Sequence, residues 1–137
     1  MRRSFLTTLL LATTFLAGCG SDSSTGPLKA SIVGTWNLKS INGQVLPFVA
    51  QASGPKIEIL GDQIVVSADG TFTDALAVRV TDGTDVVTST IDDTGTYTVN
   101  GTAVEFVFSD NTSGTASVTG NTFTVGEGGL SWLYQRE

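Results

Sequence analysis

Glycine-centred turn pairs recur along this chain at hairpin spacing, and they limit its fold more than any other feature. Asn42-Gly43, Asp69-Gly70, Asp82-Gly83 and Asn100-Gly101 are strong two-residue turn candidates. Gly61-Asp62, Gly120-Asn121 and the stretch from Asp110-Asn111 to Gly114 add weaker ones. A two-residue turn joins antiparallel neighbours only, because a parallel crossover needs a dozen or more residues. Between the turns the apolar pattern has period 2. Phe72, Leu76, Val78 and Val80 share one face, with Thr71, Thr73, Arg79 and Thr81 on the other. Val104, Phe106 and Phe108 alternate with Ala103, Glu105 and Val107, and Leu130, Trp132 and Tyr134 with Ser131, Leu133 and Gln135. Half-buried antiparallel strands read this way. The pattern predicts strands at 33–41, 56–67, 71–81, 85–99 (with a break near Asp92-Asp93), 103–109, 115–119, 122–126 and 130–136. No window carries a helical period. The segment 44–54, with Pro47, Phe48 and a patch of small residues, is expected to be an ordered loop or one short helical turn.

Short strands joined by tight turns build a sandwich or a barrel. Sequential hairpins favour an up-and-down barrel, since closure removes the exposed sheet edges. A membrane-spanning barrel would need strands of ~9–11 residues with an apolar band facing lipid. The segments 115–119 and 122–126 are too short for that, and faces rich in Thr and Asp suit water. The expected class is all-β, a small antiparallel up-and-down β-barrel of about eight strands.

The amino terminus reads Met1-Arg2-Arg3-Ser4, then an apolar run over 5–17, then Gly18-Cys19. A basic start, a short apolar run and small residues form a secretory signal. The run falls below the ~18 residues of a membrane span. Leu16-Ala17-Gly18-Cys19 resembles the lipobox of bacterial lipoproteins at all four positions. That resemblance implies cleavage before Cys19 and a diacylglyceryl group on its sulfur, usually with a further acyl chain on the new amino terminus. Two or more acyl chains anchor a protein stably where one does not. Cys19 is the chain's single cysteine, so no intramolecular disulfide can form. The expected organisation is a lipoprotein signal peptide over 1–18, a flexible tether over 19–30 and a barrel domain over 31–137. Residues 20–27 have no apolar side chain, as a tether requires. The expected location is the cell envelope, exported and lipid-anchored. Gly20 is not the Asp that marks inner-membrane retention in some bacteria, so the outer membrane is expected where the host has one. Once Arg2 and Arg3 leave, Lys29, Lys39, Lys56, Arg79 and Arg136 face 13 acidic side chains. Such a domain repels phosphate backbones, so no nucleic-acid partner is expected. The acyl chains, rather than the acidic surface, are the expected contact with the membrane.

The domain itself resembles the lipocalin-like (calycin-type) domains of bacterial lipoproteins. Val33-Gly34-Thr35-Trp36-Asn37-Leu38-Lys39-Ser40-Ile41-Asn42-Gly43 is similar to their opening Gly-x-Trp strand. Ser67-Ala68-Asp69-Gly70-Thr71-Phe72, then Asp93-Thr94-Gly95-Thr96-Tyr97-Thr98-Val99, then Gly120-Asn121-Thr122-Phe123-Thr124-Val125 resemble later hairpins and strands in the same order. Trp132-Leu133-Tyr134-Gln135-Arg136 resembles the closing strand. A second family, the META-type envelope domains, shares the opening strand but carries a Gly-Cys-Asn motif that this chain lacks. The lipocalin resemblance implies a barrel with a cavity or a packed apolar interior, and no catalytic activity. It also implies that Trp36 at the closed end lies beneath Arg136 as a barrel-closing pair.

Composition removes several chemistries. Histidine is absent, so no Ser-His-Asp or Cys-His system and no His-based zinc site can be built. Asp82 with Asp85, Asp92-Asp93 and Asp110-Asn111 offer oxygen ligands, but none has EF-hand spacing, and aspartates in such places stabilise turns. No catalytic residue, metal site or cofactor is expected. Asp74 shares the parity of Phe72 and Leu76, and an inward aspartate needs a partner or a raised pKa; a rim or bulge position is expected for it. Trp36, Phe72, Phe106, Phe108, Phe123, Trp132 and Tyr134 are the expected interior residues. Two functions fit. One is a binding module for a small apolar or amphipathic molecule, such as a fatty acyl chain, with Gly126-Glu127-Gly128-Gly129 and residues 50–54 opening one end. The other is a structural or interaction protein of the envelope with a filled core.

Overall fold

The computed structural model describes residues 32–137. The signal, Cys19 and the tether lie outside the described residues.

Ten strands follow one another: β1 (Gly34–Ile41), β2 (Gln44–Val45), β3 (Phe48–Gln51), β4 (Lys56–Val66), β5 (Thr71–Asp82), β6 (Asp85–Asn100), β7 (Ala103–Phe108), β8 (Ser113–Thr119), β9 (Thr122–Glu127) and β10 (Leu130–Arg136). From β4 to β10 each strand pairs antiparallel with the next. β1 then pairs with β10 on one side and with β4 on the other, so the expected eight-strand meander closes into a barrel. Trp36 lies opposite Arg136 in the β1–β10 register and opposite Ile64 in the β1–β4 register. Asn42 and Gly43 have φ of 50° and 76°, the pair of positive values that a two-residue hairpin turn requires. Asn42 also stitches this turn to β10. Its Oδ1 accepts the Ser131 amide, and its own amide donates to the Ser131 carbonyl, both at 2.8 Å.

Two local expectations need correction. The segment 44–54 is neither a loop nor a helical turn, since it contains β2 and β3, separated by a cis Leu46-Pro47 bond. The reason lies in its neighbours. β1 pairs with β4 only over Gly34 to Asn37. Bulges between Leu38 and Ser40 in β1 and between Ile59 and Gly61 in β4 carry the two strands apart beyond that point. β2 then covers the freed edge of β1 and β3 the freed edge of β4, with the buried Phe48 opposite Ile59. Nor does the strand at 85–99 break at Asp92-Asp93. β5 and β6 stay in unbroken register from Thr71 opposite Thr96 to Asp82 opposite Asp85.

One end of the barrel is packed solid. Trp36, Ile32, Val66, Phe72, Tyr97, Val104, Phe106, Val118 and Phe123 are buried there. The Trp36 ring lies 4.7 Å from Phe123, which lies 4.7 Å from Tyr134. The Trp36 indole N–H donates to the Ile32 carbonyl at 2.8 Å, so the chain entering the barrel caps this end. The Arg136 guanidinium sits 4.5 Å from the centre of the Trp36 ring, and its Nη1 donates to the Val33 carbonyl at 2.9 Å. A cation over an indole contributes about 0.5–2 kcal/mol, depending on desolvation. Gly34, at φ 140°, makes this closure fit, because its backbone is closed to most side chains and runs beside Arg136 Nη1. Gly95 has a steric role instead. A Cβ there would strike the Val107 carbonyl and the Phe72 ring, which packs over the glycine. The Gly-x-Tyr motif thus leaves room for Phe72 and buries Tyr97, whose hydroxyl donates to the Ser67 carbonyl at 2.8 Å.

Outside the barrel, Glu58 on β4 is clasped by Arg79 and Lys56, each at 2.8 Å. Hydrogen bonds from Arg79 first and Lys56 second hold its pKa down to about 2.

Trp36 is fully buried and joins β1, the aromatic stack and the entering chain. Trp36→Ala is therefore expected to lower stability by about 3–5 kcal/mol, the usual loss for a truncated buried aromatic. Equilibrium unfolding in urea measures it. A loss below about 1 kcal/mol would contradict this packing.

Candidate functional site

The other end of the barrel is open, and a cavity of about 360 Å³ enters it. Its volume falls within the ~300–1,000 Å³ of small-molecule sites. Phe72, Phe106 and Phe108 form one wall, with Phe72 meeting the other two rings edge-on at 5.0 and 5.2 Å. Trp132 and Tyr134 on β10 form another wall. The seven interior aromatics expected from the sequence therefore divide. Five line the cavity, while Trp36 and Phe123 belong to the packed end and do not line it. Arg136 likewise stays with Trp36 at the closed end.

Acidic side chains were the unforeseen part of the site. Asp62, Asp74, Asp93, Asp110 and Glu127 all line the cavity, and no lysine or arginine does. Asp74 was expected at a rim or bulge, yet it sits in the regular part of β5, opposite Ile64 on β4 and Asp93 on β6. Asp62 follows two residues before Ile64 on the same face of β4. It is buried, and its Oδ2 accepts the Tyr134 hydroxyl at 2.6 Å. Asp62 Oδ1, Asp74 Oδ1 and Trp132 Nε1 are buried with no hydrogen-bond partner among the described residues. Burial, then the hydrogen bond and charge of Asp62, then the charge of Asp93, push Asp74 well above the usual carboxylate range, to about 8. At neutral pH it keeps its proton, as crowded buried carboxyls do. Burial, then the charge of Asp62, also raises the Tyr134 phenol, which stays a donor.

Two of the other three acids, Asp93 and Asp110, are committed locally. Asp93 Oδ1 accepts the Thr94 amide at 2.7 Å and the Ser109 hydroxyl at 2.8 Å. Asp110 Oδ1 accepts the Thr112 amide and hydroxyl, the expected turn role of an aspartate. These two add charge to the mouth and keep their own partners. Among the described residues no three acidic side chains converge closely enough to hold a metal ion. Of the glycine-rich segments expected to open the barrel, 126–129 contributes Glu127 to the cavity, while 50–54 contributes nothing.

Sequence signals for the missed acids existed. Asp62 has the parity of the buried Ile64 and Val66. Counting back along the hairpin from Gly83-Thr84 puts Asp93 opposite Asp74.

A closed antiparallel barrel with one packed end and one open, cavity-bearing end frames the comparison with known families. A profile of lipocalin-like domains matches residues 32–129. The chain belongs to the lipocalin-like domain family. The match ends just before β10, the strand that closes this lipocalin-like barrel on β1. No curated protein and no solved structure matches the chain.

Asp74 gives the lipocalin-like site a pH signature. The unfolded chain releases this proton near pH 4, while the folded chain holds it to about 8. Between those values the folded state binds more protons, so its stability falls as pH rises. Glu58 has the opposite sign, but its window lies lower, from about 4 down to about 2. Asp74→Asn removes the penalty. It is expected to melt several degrees above wild type at pH 8.5 and to converge with it near pH 4. Thermal melts across this range check it, and parallel curves would refute the raised Asp74.

Proposed function

We propose that this lipocalin-like domain is a non-catalytic binding module for a small amphipathic molecule, held in the open end of the barrel. The cavity carries the reading. Eight-stranded barrels of this size can be filled by their own side chains, yet here the filling stops at Phe72, Phe106 and Tyr134. An apolar floor with polar groups at the mouth is the usual build of a small-molecule site. It favours ligand binding over the filled-core, structural reading.

Gly114 provides the test. It lines the cavity opposite Phe106, and a Cβ there would meet only Val125, at 3.5 Å. A Cβ is accommodated there, so Gly114→Leu should project its side chain into the cavity and occupy it. The purified protein, titrated with the neutral fluorescent probe N-phenyl-1-naphthylamine, is expected to give saturable, one-to-one enhancement of emission. Gly114→Leu should abolish it. Absent saturation in wild type, or an unchanged response in Gly114→Leu, would overturn the binding reading.

We also propose that the domain is a lipid-anchored protein of a bacterial cell envelope, with Cys19 as the acylated residue. The lipobox-like Leu16-Ala17-Gly18-Cys19 supports this. The barrel adds a geometric point in its favour. The chain enters at the closed end, beside Trp36 and Arg136, so a tether there would leave the cavity facing away from the bilayer. In detergent phase partitioning, wild type expressed in a bacterial host should enter the detergent phase and Cys19→Ser the aqueous phase. Wild type in the aqueous phase would refute acylation.

A further inference from the structure

The ligand-binding reading leaves the ligand's charge open, and the side chains around the cavity address it. Every ionisable group with a full charge in the lining is an acid. Three of the domain's cations are engaged elsewhere: Arg136 over Trp36, and Arg79 and Lys56 on Glu58 outside the barrel. An acidic mouth alone would say little, since acids also keep a surface soluble. The buried hydrogen-bond groups say more. Asp62 is buried, at 9% relative exposure for the residue, its Oδ1 is shut off from solvent, and it lines the cavity. Tyr134 satisfies its Oδ2, and apart from the proton of the neighbouring Asp74 carboxyl no donor of the described residues reaches its Oδ1. Asp74 Oδ1 is in the same condition. Buried polar atoms in native proteins nearly always have a partner, and exceptions cluster where something else supplies it.

We propose that the site selects a small amphipathic cation, an ammonium head on an apolar body, with the head seated on Asp62 and Asp74. This rests on the ligand-binding reading above and narrows it. An ammonium group is all donor and positive, so it can hydrogen-bond the Asp62 oxygen and stand in for the Asp74 proton. The proton that Asp74 otherwise keeps against Asp62 answers the same need, and a bound cation takes over that role. Asp93, Asp110 and Glu127 around the mouth add attraction at longer range. Trp132 and Tyr134 line the same cavity, and aromatic rings beside a bound cation attract it. The Trp132 indole N–H, buried without a partner, calls for an acceptor on the ligand body, such as a hydroxyl or carbonyl oxygen. A carboxylate-headed amphiphile fits badly. Its charge would face five acids with no cation among the lining residues.

A matched set of octyl ligands separates charge from shape. Octylamine, 1-octanol and octanoate are titrated into the purified protein at pH 7.5 by calorimetry. Octylamine is expected to bind more tightly than 1-octanol by on the order of tenfold or more, the effect of one or two charge-assisted hydrogen bonds. Octanoate should bind more weakly than 1-octanol. In the double variant Asp62→Asn, Asp74→Asn, octylamine should fall to the affinity of 1-octanol, while 1-octanol itself changes little. Raising salt should weaken octylamine and leave 1-octanol unaffected, a readout independent of how the variant folds. Equal affinities for amine and alcohol, or tighter binding of octanoate, would overturn the cation and leave the binding reading standing. No saturable binding of any of the three would overturn both.

Discussion

The barrel stands on a closure between the two ends of the described chain. β1 and β10 pair across it, Trp36 opposite Arg136, with the guanidinium 4.5 Å from the centre of the indole. Without that pairing the meander would be an open sheet with a long unpaired edge at β10, and open edges invite other chains. Three separate parts of the sequence meet at this point. Gly34 gives the backbone path beside the guanidinium, the Ile32 and Val33 carbonyls take the indole and guanidinium hydrogens, and Phe123 backs the ring. The Gly-x-Trp opening and the terminal arginine, distant in sequence, are therefore two halves of one packing unit.

That unit places the polarity of the molecule. Along the barrel axis the interior changes from a solid aromatic stack to an acidic cup within a few residues of the same strands. On β4 the change runs from Val66 through Ile64 to Asp62, and on β5 from Phe72 to Asp74. The two ends have opposite energetics. Trp36, Phe72 and Phe123 at the closed end gain from burial and from edge or tilted ring contacts. Asp62 and Asp74 at the open end are crowded, and Asp74 keeps its proton there at a cost in stability that grows with pH. Sites that hold such strain are where function is found, because selection for folding alone would remove it.

Local signals carried most of the fold, and non-local ones carried the site. Asn42-Gly43 and the alternation around Phe72 and Phe106 are visible within a few residues, and they defined hairpins correctly. What the pattern hid was the result of two bulges. The irregularities at Leu38/Ser40 and Ile59/Gly61 separate β1 from β4 and create the edges that β2 and β3 cover. No propensity within 44–54 announces strands, because their cause lies in the neighbours. The cup was obscured in the same way. Asp74 was legible as inward, but its meaning depends on Asp62 across the β4–β5 hairpin, past the β4 bulge that sets its face, and on Tyr134, 72 residues from Asp62 in the chain. Ranking the interior by aromatic content alone picked out its walls and missed its charge. It also merged Trp36 and Phe123, which only pack, with Phe108 and Trp132, which face the cavity.

The division of the barrel into a packed end and a charged end also bears on how such a domain can serve an anchored protein. In the proposed arrangement a tether would join the barrel beside Trp36, where β1 is held by both β4 and β10. The cup's own strands instead end in short, exposed turns at Asp110 to Thr112 and at Gly128-Gly129, away from the closure. Charge works in the same sense. An acidic mouth on an acidic domain is repelled by anionic headgroups and attracts cations from solution. In the proposed arrangement, anchoring and binding thus use opposite ends of one barrel, and neither requires the other to deform.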